Sequence, residues 1–194
     1  MKTEKIFGGI LLAGMLFKLM HWPFSGPLLV IAGAALTMIY LIGSFYFFSD
    51  KHIKTQNLLF TIIAGFFLSN ATMAILYKLM FWPMSDPLMT VAVTSIPVLL
   101  AIAFFLKSTT TRIDLAIYYR NMIVRLGVMT TLVLVFYFTS TVTLIEIIHS
   151  DDPEWVRLQT QSHLNPENEE YRNEYNEYVK QKHSRDIQPE ENGN

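Results

Sequence analysis

The sequence predicts an all-α, polytopic integral membrane protein with five transmembrane helices: two tandem helical hairpins, a fifth long helix, and a short helical acidic C-terminal tail. Three observations predict it. Hydrophobic residues make up 52% of the 194 positions and charged residues only 16%, which is apolar-rich and charge-poor for a soluble domain. Five apolar runs follow one another, at 6–20, 27–48, 58–80, 87–106 and 126–148. Finally, the stretch Phe17-Lys18-Leu19-Met20-His21-Trp22-Pro23-Phe24-Ser25-Gly26-Pro27-Leu28-Leu29 returns sixty residues later as Tyr77-Lys78-Leu79-Met80-Phe81-Trp82-Pro83-Met84-Ser85-Asp86-Pro87-Leu88-Met89, with eight of thirteen positions identical.

A helix rises about 1.5 Å per residue, so about twenty residues cross a hydrocarbon core of roughly 30 Å. In lipid every backbone N–H and C=O must be satisfied within the segment, so these runs are expected as helices despite β-branched and aromatic residues in the second and fifth. The first run is short and needs its flanking Lys and Trp at the interface. Lys2 and Lys5 before it have the form of a signal peptide, but Lys18 and His21 stand where a cleavage site belongs, so a retained helix is expected.

The division by composition is into a first membrane hairpin (1–49), a second (57–106), an amphipathic start with the fifth helix (111–149) and an extracytoplasmic tail (150–194). Residues 1–150 carry ten Lys/Arg and five Asp/Glu, and the remainder carries five Lys/Arg and eleven Asp/Glu. The net charge of −1 thus hides a +5 body and a −6 tail. Basic residues cluster at Lys2 and Lys5, at Lys51 and Lys54, and at Lys107, Arg112 and Arg120, while the turns at 22–26 and 81–86 have none. Positive charge marks the cytoplasmic side. The N-terminus is therefore expected in the cytoplasm, with both tips and the acidic tail outside it.

Each tip has turn chemistry. Pro23 and Pro83 discourage helix continuation, and Pro27 and Pro87 suit the first turn of the next helix. Ser25 or Gly26 is expected to cap the first restart and Asp86 the second. Trp22 and Trp82 suit the interface belt. Thr111 with Asp114 resembles a capping box ahead of the fifth helix. In the tail, Asp151-Asp152-Pro153 reads as a helix start before a short 155–160 element. Asn165-Pro166-Glu167 reads as a second start, before a 167–183 run in which Tyr171, Tyr175 and Tyr178 form a stripe. Residues 184–194 read as disordered.

Lys18, His21, Lys78 and Glu146 are the candidate intramembrane charge cluster. Lys18 and Lys78 each lie one turn before a Trp. One reading is snorkelling to the interface, with a cation–π contact to Trp22 or Trp82 at i,i+4. Another is pairing with Glu146 near the end of the fifth run, and a third is a proton or ion path. His21 projects from the face of Lys18, and its counterpart in the second copy is Phe81. Glu146 with His149 is half of a di-iron pattern that needs a second such pair, so no metal is expected. Asn70, Ser69 and Thr72 read as interhelical hydrogen bonders. The chain has no cysteine, which excludes disulfides and thiol chemistry. Phosphate-loop, zinc-protease and serine-hydrolase signatures are missing too, so no catalytic residue and no cofactor are expected.

At 17–23 the chain resembles the N-terminal membrane hairpin of GldL, the inner-membrane motor subunit of gliding motility and type IX secretion in Bacteroidota, and related small membrane proteins of that phylum with an F-K-x-x-H-W-P tip. The resemblance covers residues 6–48, and more loosely 60–106. It implies a bacterial inner-membrane location. It also implies that Lys18 and His21 correspond to the Lys and His that act with a glutamate in harvesting the proton gradient. At the glutamate's place, Leu36-Thr37-Met38-Ile39-Tyr40 has no carboxylate; Glu146 substitutes only if the fifth helix packs beside the first. The expectation is a non-catalytic scaffold or accessory subunit, with a proton- or ion-coupled element using Lys18, His21 and Glu146 as the alternative. The expected partners are the bilayer and a periplasmic or membrane protein engaged through residues 150–183; no nucleic acid is expected.

Overall fold

The computed structural model describes residues 2–22, 24–43 and 57–187. Pro23, Lys51, Lys54, the last residues of the second apolar run and the end of the tail lie outside them. Among the described residues there are eight helices and no strand. The chain divides into two compact units, Met1–Ser140 and Thr141–Asn194.

The first unit holds α1 (Lys2–Leu19), α2 (Ser25–Leu41), α3 (Leu58–Leu79), α4 (Ser85–Thr109) and α5 (Ile113–Phe138). Successive helices pack as neighbours, and α5 also reaches α3. Three of the five, α3, α4 and α5, are long and apolar enough to cross a membrane, and α2 is a shorter apolar helix. The interior mixes small and large side chains: Ala32, Ala64, Ala71, Ala74, Ala92 and Ala103 are fully buried together with Leu29, Leu68, Ile96, Met122 and Leu126. Leu16, Ile31, Leu59, Phe66, Phe105 and Phe138 are exposed, an apolar exterior that suits a lipid solvent, and the buried alanines allow the close helix approach that packing in lipid relies on.

Glycine permits two of these approaches. A Cβ on Gly14 would stand 3.0 Å from Leu29 Cδ2, and one on Gly33 would stand 3.0 Å from Leu76 Cδ2. Gly14 thus fits α1 to α2, and Gly33 fits the first hairpin to the second. Polar links are few. Asn70 donates from Nδ2 to the Leu88 carbonyl at 3.3 Å, joining α3 to α4 as expected of an interhelical bonder. Thr72 instead bonds within its own helix, to the Leu68 carbonyl at 2.9 Å. The hydroxyls of Thr61 and Tyr118 share a buried hydrogen bond between α3 and α5, beside the edge-on rings of Phe60 and Tyr119.

The fifth apolar run does not form one helix from 126 to 148. α5 begins at Ile113 and ends at Phe138, and a separate α6 (Thr141–Ile148) belongs to the second unit. The Thr139 hydroxyl donates to the Val135 carbonyl at 2.8 Å, and its own N–H donates to the same oxygen at 3.1 Å. Thr139 itself is extended, at ψ 117. Thr111 is not the cap of α5 either; Arg112 holds that position, with no side-chain cap bond.

The second unit adds α7 (Pro153–Leu164) and α8 (Glu169–Ile187), longer than the 155–160 and 167–183 elements expected. Asp152 caps α7, accepting from the Trp155 N–H at 3.0 Å, with Pro153 at the first helical position. α8 starts after the expected 165–167, where Asn168 Oδ1 accepts from the Glu170 N–H at 2.9 Å.

Replacing Gly33 with Val should overpack the α2–α3 contact and lower stability by about 1–3 kcal/mol. Unfolding in mixed micelles measures this, and Leu76→Ala in the same chain should recover part of the loss. An unchanged Gly33→Val protein would rule out a close contact there.

Candidate functional site

The two tips have the same backbone. Trp22 N–H donates to the Phe17 carbonyl at 2.9 Å and His21 N–H to the Lys18 carbonyl at 3.3 Å; in the second copy Trp82 donates to Tyr77 at 2.9 Å and Phe81 to Lys78 at 3.3 Å. His21 and Phe81 sit in the left-handed region, at φ 56 and 55. This is a Schellman helix end, in which a left-handed residue turns the chain so that the next two N–H groups reach back to orphaned carbonyls. The apolar contact that accompanies such an end is present in both copies. The rings of Phe17 and Trp22 are 4.6 Å apart, and those of Tyr77 and Trp82 are 5.1 Å apart. The repeated aromatic-Lys-Leu-Met-x-Trp pattern is therefore the sequence of a helix end.

The restarts differ from expectation. Ser25 and Asp86 do not cap. The N-cap positions are Phe24 and Met84, left-handed at φ 69 and 71 and without a side-chain cap bond. Ser25 is already the first helical residue, and Asp86 is the second residue of α4. Pro27 and Pro87 occupy the first turn, where their missing N–H leaves nothing unsatisfied. All four non-glycine residues with positive φ among the described residues are at these tips, and each costs on the order of 1–2 kcal/mol.

Lys18 does not contact Trp22 or Trp82 as a cation–π partner, since both indoles are used within their own helix ends. It crosses to the other repeat. Its Nζ lies 3.6 Å from Met80 Sδ and 5.4 Å from the centroid of the Phe81 ring. A Cβ on Gly26 would also meet Met80, at 3.8 Å. The tips therefore lie side by side at one end of the first unit. Lys78 is 4% exposed; Asp86 in its tip corresponds to Gly26 in the first copy. Trp22, Phe24 and Met84 are exposed at the tips. Glu146 is an exposed residue of α6 in the second unit. Its pairing with Lys18 would bridge the two units and stays an expectation.

Among the described residues, the half-buried ion pair of the first unit involves other residues. Arg125 Nε of α5 donates to Glu4 Oε1 of α1 at 2.7 Å, with side chains 16% and 12% exposed. The Tyr40 hydroxyl of α2 donates to the same oxygen at 3.3 Å. A cleft of about 480 Å³ opens beside this triad. Hydropathy hides the pair, because its members are 121 positions apart. The one available signal is that Glu4 is the sole acid of the first helix.

In the second unit, Asp152 gathers α7 and α8. Tyr178 donates its hydroxyl to Asp152 Oδ1 at 2.8 Å, and Lys182 donates to Oδ2 at 2.6 Å. His149 stacks on Trp155 with centroids 3.6 Å apart, and Tyr175 meets Trp155 edge-on at 5.8 Å. Two members of the tyrosine stripe are thus engaged within the tail's own fold. Burial pushes the Asp152 carboxyl up, but the hydrogen bonds from Lys182, the Trp155 N–H and Tyr178, together with the Lys182 charge, outweigh it and hold it below the ordinary value. The bond to Asp152 raises Lys182. No protein family, no curated protein and no solved structure matches this chain.

His21→Gly should stabilise the first unit by up to about 1 kcal/mol, because glycine adopts positive φ without a Cβ penalty. Thermal unfolding in micelles reads this, and a loss of stability would show that the imidazole contributes more than the strain removes. The Asp152 contribution is present above the ordinary carboxylate value of 3.8 and is lost as pH falls through its lowered folded value. That of Lys182 is present below 10.5 and is lost as pH rises through its raised folded value. In a His149→Gln background, which removes the titrating imidazole stacked on the indole, the 5-fluorotryptophan resonance of Trp155 should accordingly hold steady between these limits and move outside them. In Asp152→Ala it should have the shifted position at neutral pH.

Proposed function

We propose that this protein is a non-catalytic, multi-pass membrane protein, a scaffold or accessory subunit of a bacterial envelope assembly, with α1–α5 as its five spans. The observation that carries the reading is where the charges lie. Glu4 and Lys5 stand at one end of α1 and Lys18 at the other, and α1 has no charged residue between them. Glu4 and Lys18 are separated by fourteen residues, or about 21 Å of helix. α2 has no charged residue at all, α3 none before Lys78, α4 none between Asp86 and Lys107, and α5 none after Arg125. A proton or ion path needs polar groups at successive depths. Here the charged groups occupy two levels, and at one of these Lys18 is engaged by a sulfur and a ring; the polar groups between are neutral, with Asn70 and Thr72 already bonded to the Leu88 and Leu68 carbonyls.

The side-by-side tips support a topology in which α1 and α3 run one way and α2 and α4 the other. Lys2, Lys5, Lys107, Arg112 and Arg120 then share the opposite end, which favours a cytoplasmic N-terminus in the inner membrane. An odd number of spans gives the second unit to the periplasm. Its Asp152-centred fold makes it the part suited to a protein partner. The resemblance of the first tip to GldL favours an envelope assembly of the same kind.

In proteoliposomes under an imposed pH gradient, the chain should conduct protons no faster than empty vesicles, with Lys18→Ala and Glu146→Gln unchanged. Flux above the empty control that falls in either variant would favour the proton-coupled alternative. Crosslinking in native membranes through the second unit should capture a defined envelope protein, and recovery of none would remove the scaffold reading.

A further inference from the structure

The cleft beside Glu4, Arg125 and Tyr40 is not used by the reading above. Its walls come from α1, α2 and α5 of the first unit. On α5 its lining falls at Asn121, Val124, Arg125, Val128 and Met129, the i, i+3, i+4, i+7, i+8 spacing of a single helix face. The face is graded, with the amide of Asn121 and the guanidinium of Arg125 nearer the start of α5, Val124 between them, and Val128 and Met129 farther along. Its polar end carries an excess positive charge. Glu4 is matched by Arg125 at 2.7 Å, and Lys5, also lining the cleft, is exposed and forms no ion pair among the described residues. The apolar end lies open on the flank of the unit, with Val124 60% and Val128 57% exposed. A volume of about 480 Å³ is within the range of small-ligand sites, roughly 300–1,000 Å³.

We propose that this cleft binds one anionic phospholipid, with the phosphate at Lys5 and Asn121 and an acyl chain along Val124, Val128 and Met129. The chemistry selects both ends of the ligand. A headgroup with its own ammonium would meet Lys5 with like charge, whereas a phosphate with no compensating cation completes the charge balance. Asn121 offers two N–H donors to the phosphate oxygens. A small soluble anion would leave the apolar half of the cleft unfilled, and that half opens where the neighbours in a bilayer are lipid tails. The Glu4–Arg125–Tyr40 cluster makes the wall rigid and keeps the glutamate's charge from repelling the phosphate.

The test is native mass spectrometry of the full chain released from micelles containing phosphatidylglycerol or phosphatidylcholine. One phosphatidylglycerol should be retained in preference to phosphatidylcholine. Lys5→Ala should lower that retention about fivefold, the amount one basic residue contributes to an anionic headgroup. Lys107→Ala, which removes an exposed cation outside the cleft, should leave it unchanged. Val128→Trp should abolish retention by filling the apolar end, and millimolar inorganic phosphate should not displace the lipid. Equal retention of the two lipids, an equal loss in Lys107→Ala, or full retention in Val128→Trp would overturn the site. Displacement by phosphate would show a simple anion site instead. All three substitutions are at exposed positions, so folding is checked by the unchanged charge-state distribution of the lipid-free protein.

Discussion

The last carbonyls of α1 and α3 have to find donors where the chain reverses, and in a bilayer little water is there to supply them. The Schellman end solves this within the backbone. Two N–H groups turn back onto the helix, and the aromatic pair Phe17–Trp22 or Tyr77–Trp82 closes over the turn. The rest of the first unit depends on that reversal. It aims α2 and α4 back along their partners, sets the tips side by side, and lets Gly33 come against Leu76. The left-handed residues at His21, Phe24, Phe81 and Met84 are the strain this requires.

The charged residues follow from the same geometry. With the tips in contact, Lys18 finds a sulfur and a ring of the neighbouring repeat instead of an indole of its own. At the far end, α1 and α5 come near enough for Glu4 to meet Arg125, with Tyr40 of α2 joining them. Each end is tied by side chains from different helices, and the interval between is held mainly by apolar packing, with the Asn70–Leu88 hydrogen bond joining α3 to α4. The ion pair costs desolvation and returns it through short, charge-assisted hydrogen bonds, so its main effect is to fix which helices are neighbours.

Much of this is written in the sequence, and the gaps have physical causes. Hydropathy places α2, α3 and α4 because lipid-facing helices are apolar all round. Proline and the Asp152 cap mark the restarts of α4 and α7 because these residues act locally. The helix-end motif is harder to recognise because its left-handed position holds His and Phe where glycine is the usual sign. Ser25 and Asp86 look like caps by type, yet with a left-handed Phe24 or Met84 as the cap the helices start one and two residues earlier, so that both side chains fall inside the first turn. The end of α5 at Phe138 has neither Pro nor Gly to announce it. Glu4 with Arg125, and Thr61 with Tyr118, are products of tertiary structure and leave no local pattern.

The charge-free interval between the two levels of the first unit also has an electrical meaning. A membrane potential does work on a protein only through charge that moves along the field, about 2.3 kcal/mol per elementary charge for each 100 mV crossed. On the described helices the formal charges sit at the two ends of that interval, and those of Glu4 and Arg125 cancel at close range. A tilt or slide of one hairpin against the other would carry little net charge through the span. In an energised membrane the helices of the first unit would therefore not be driven by the voltage across it.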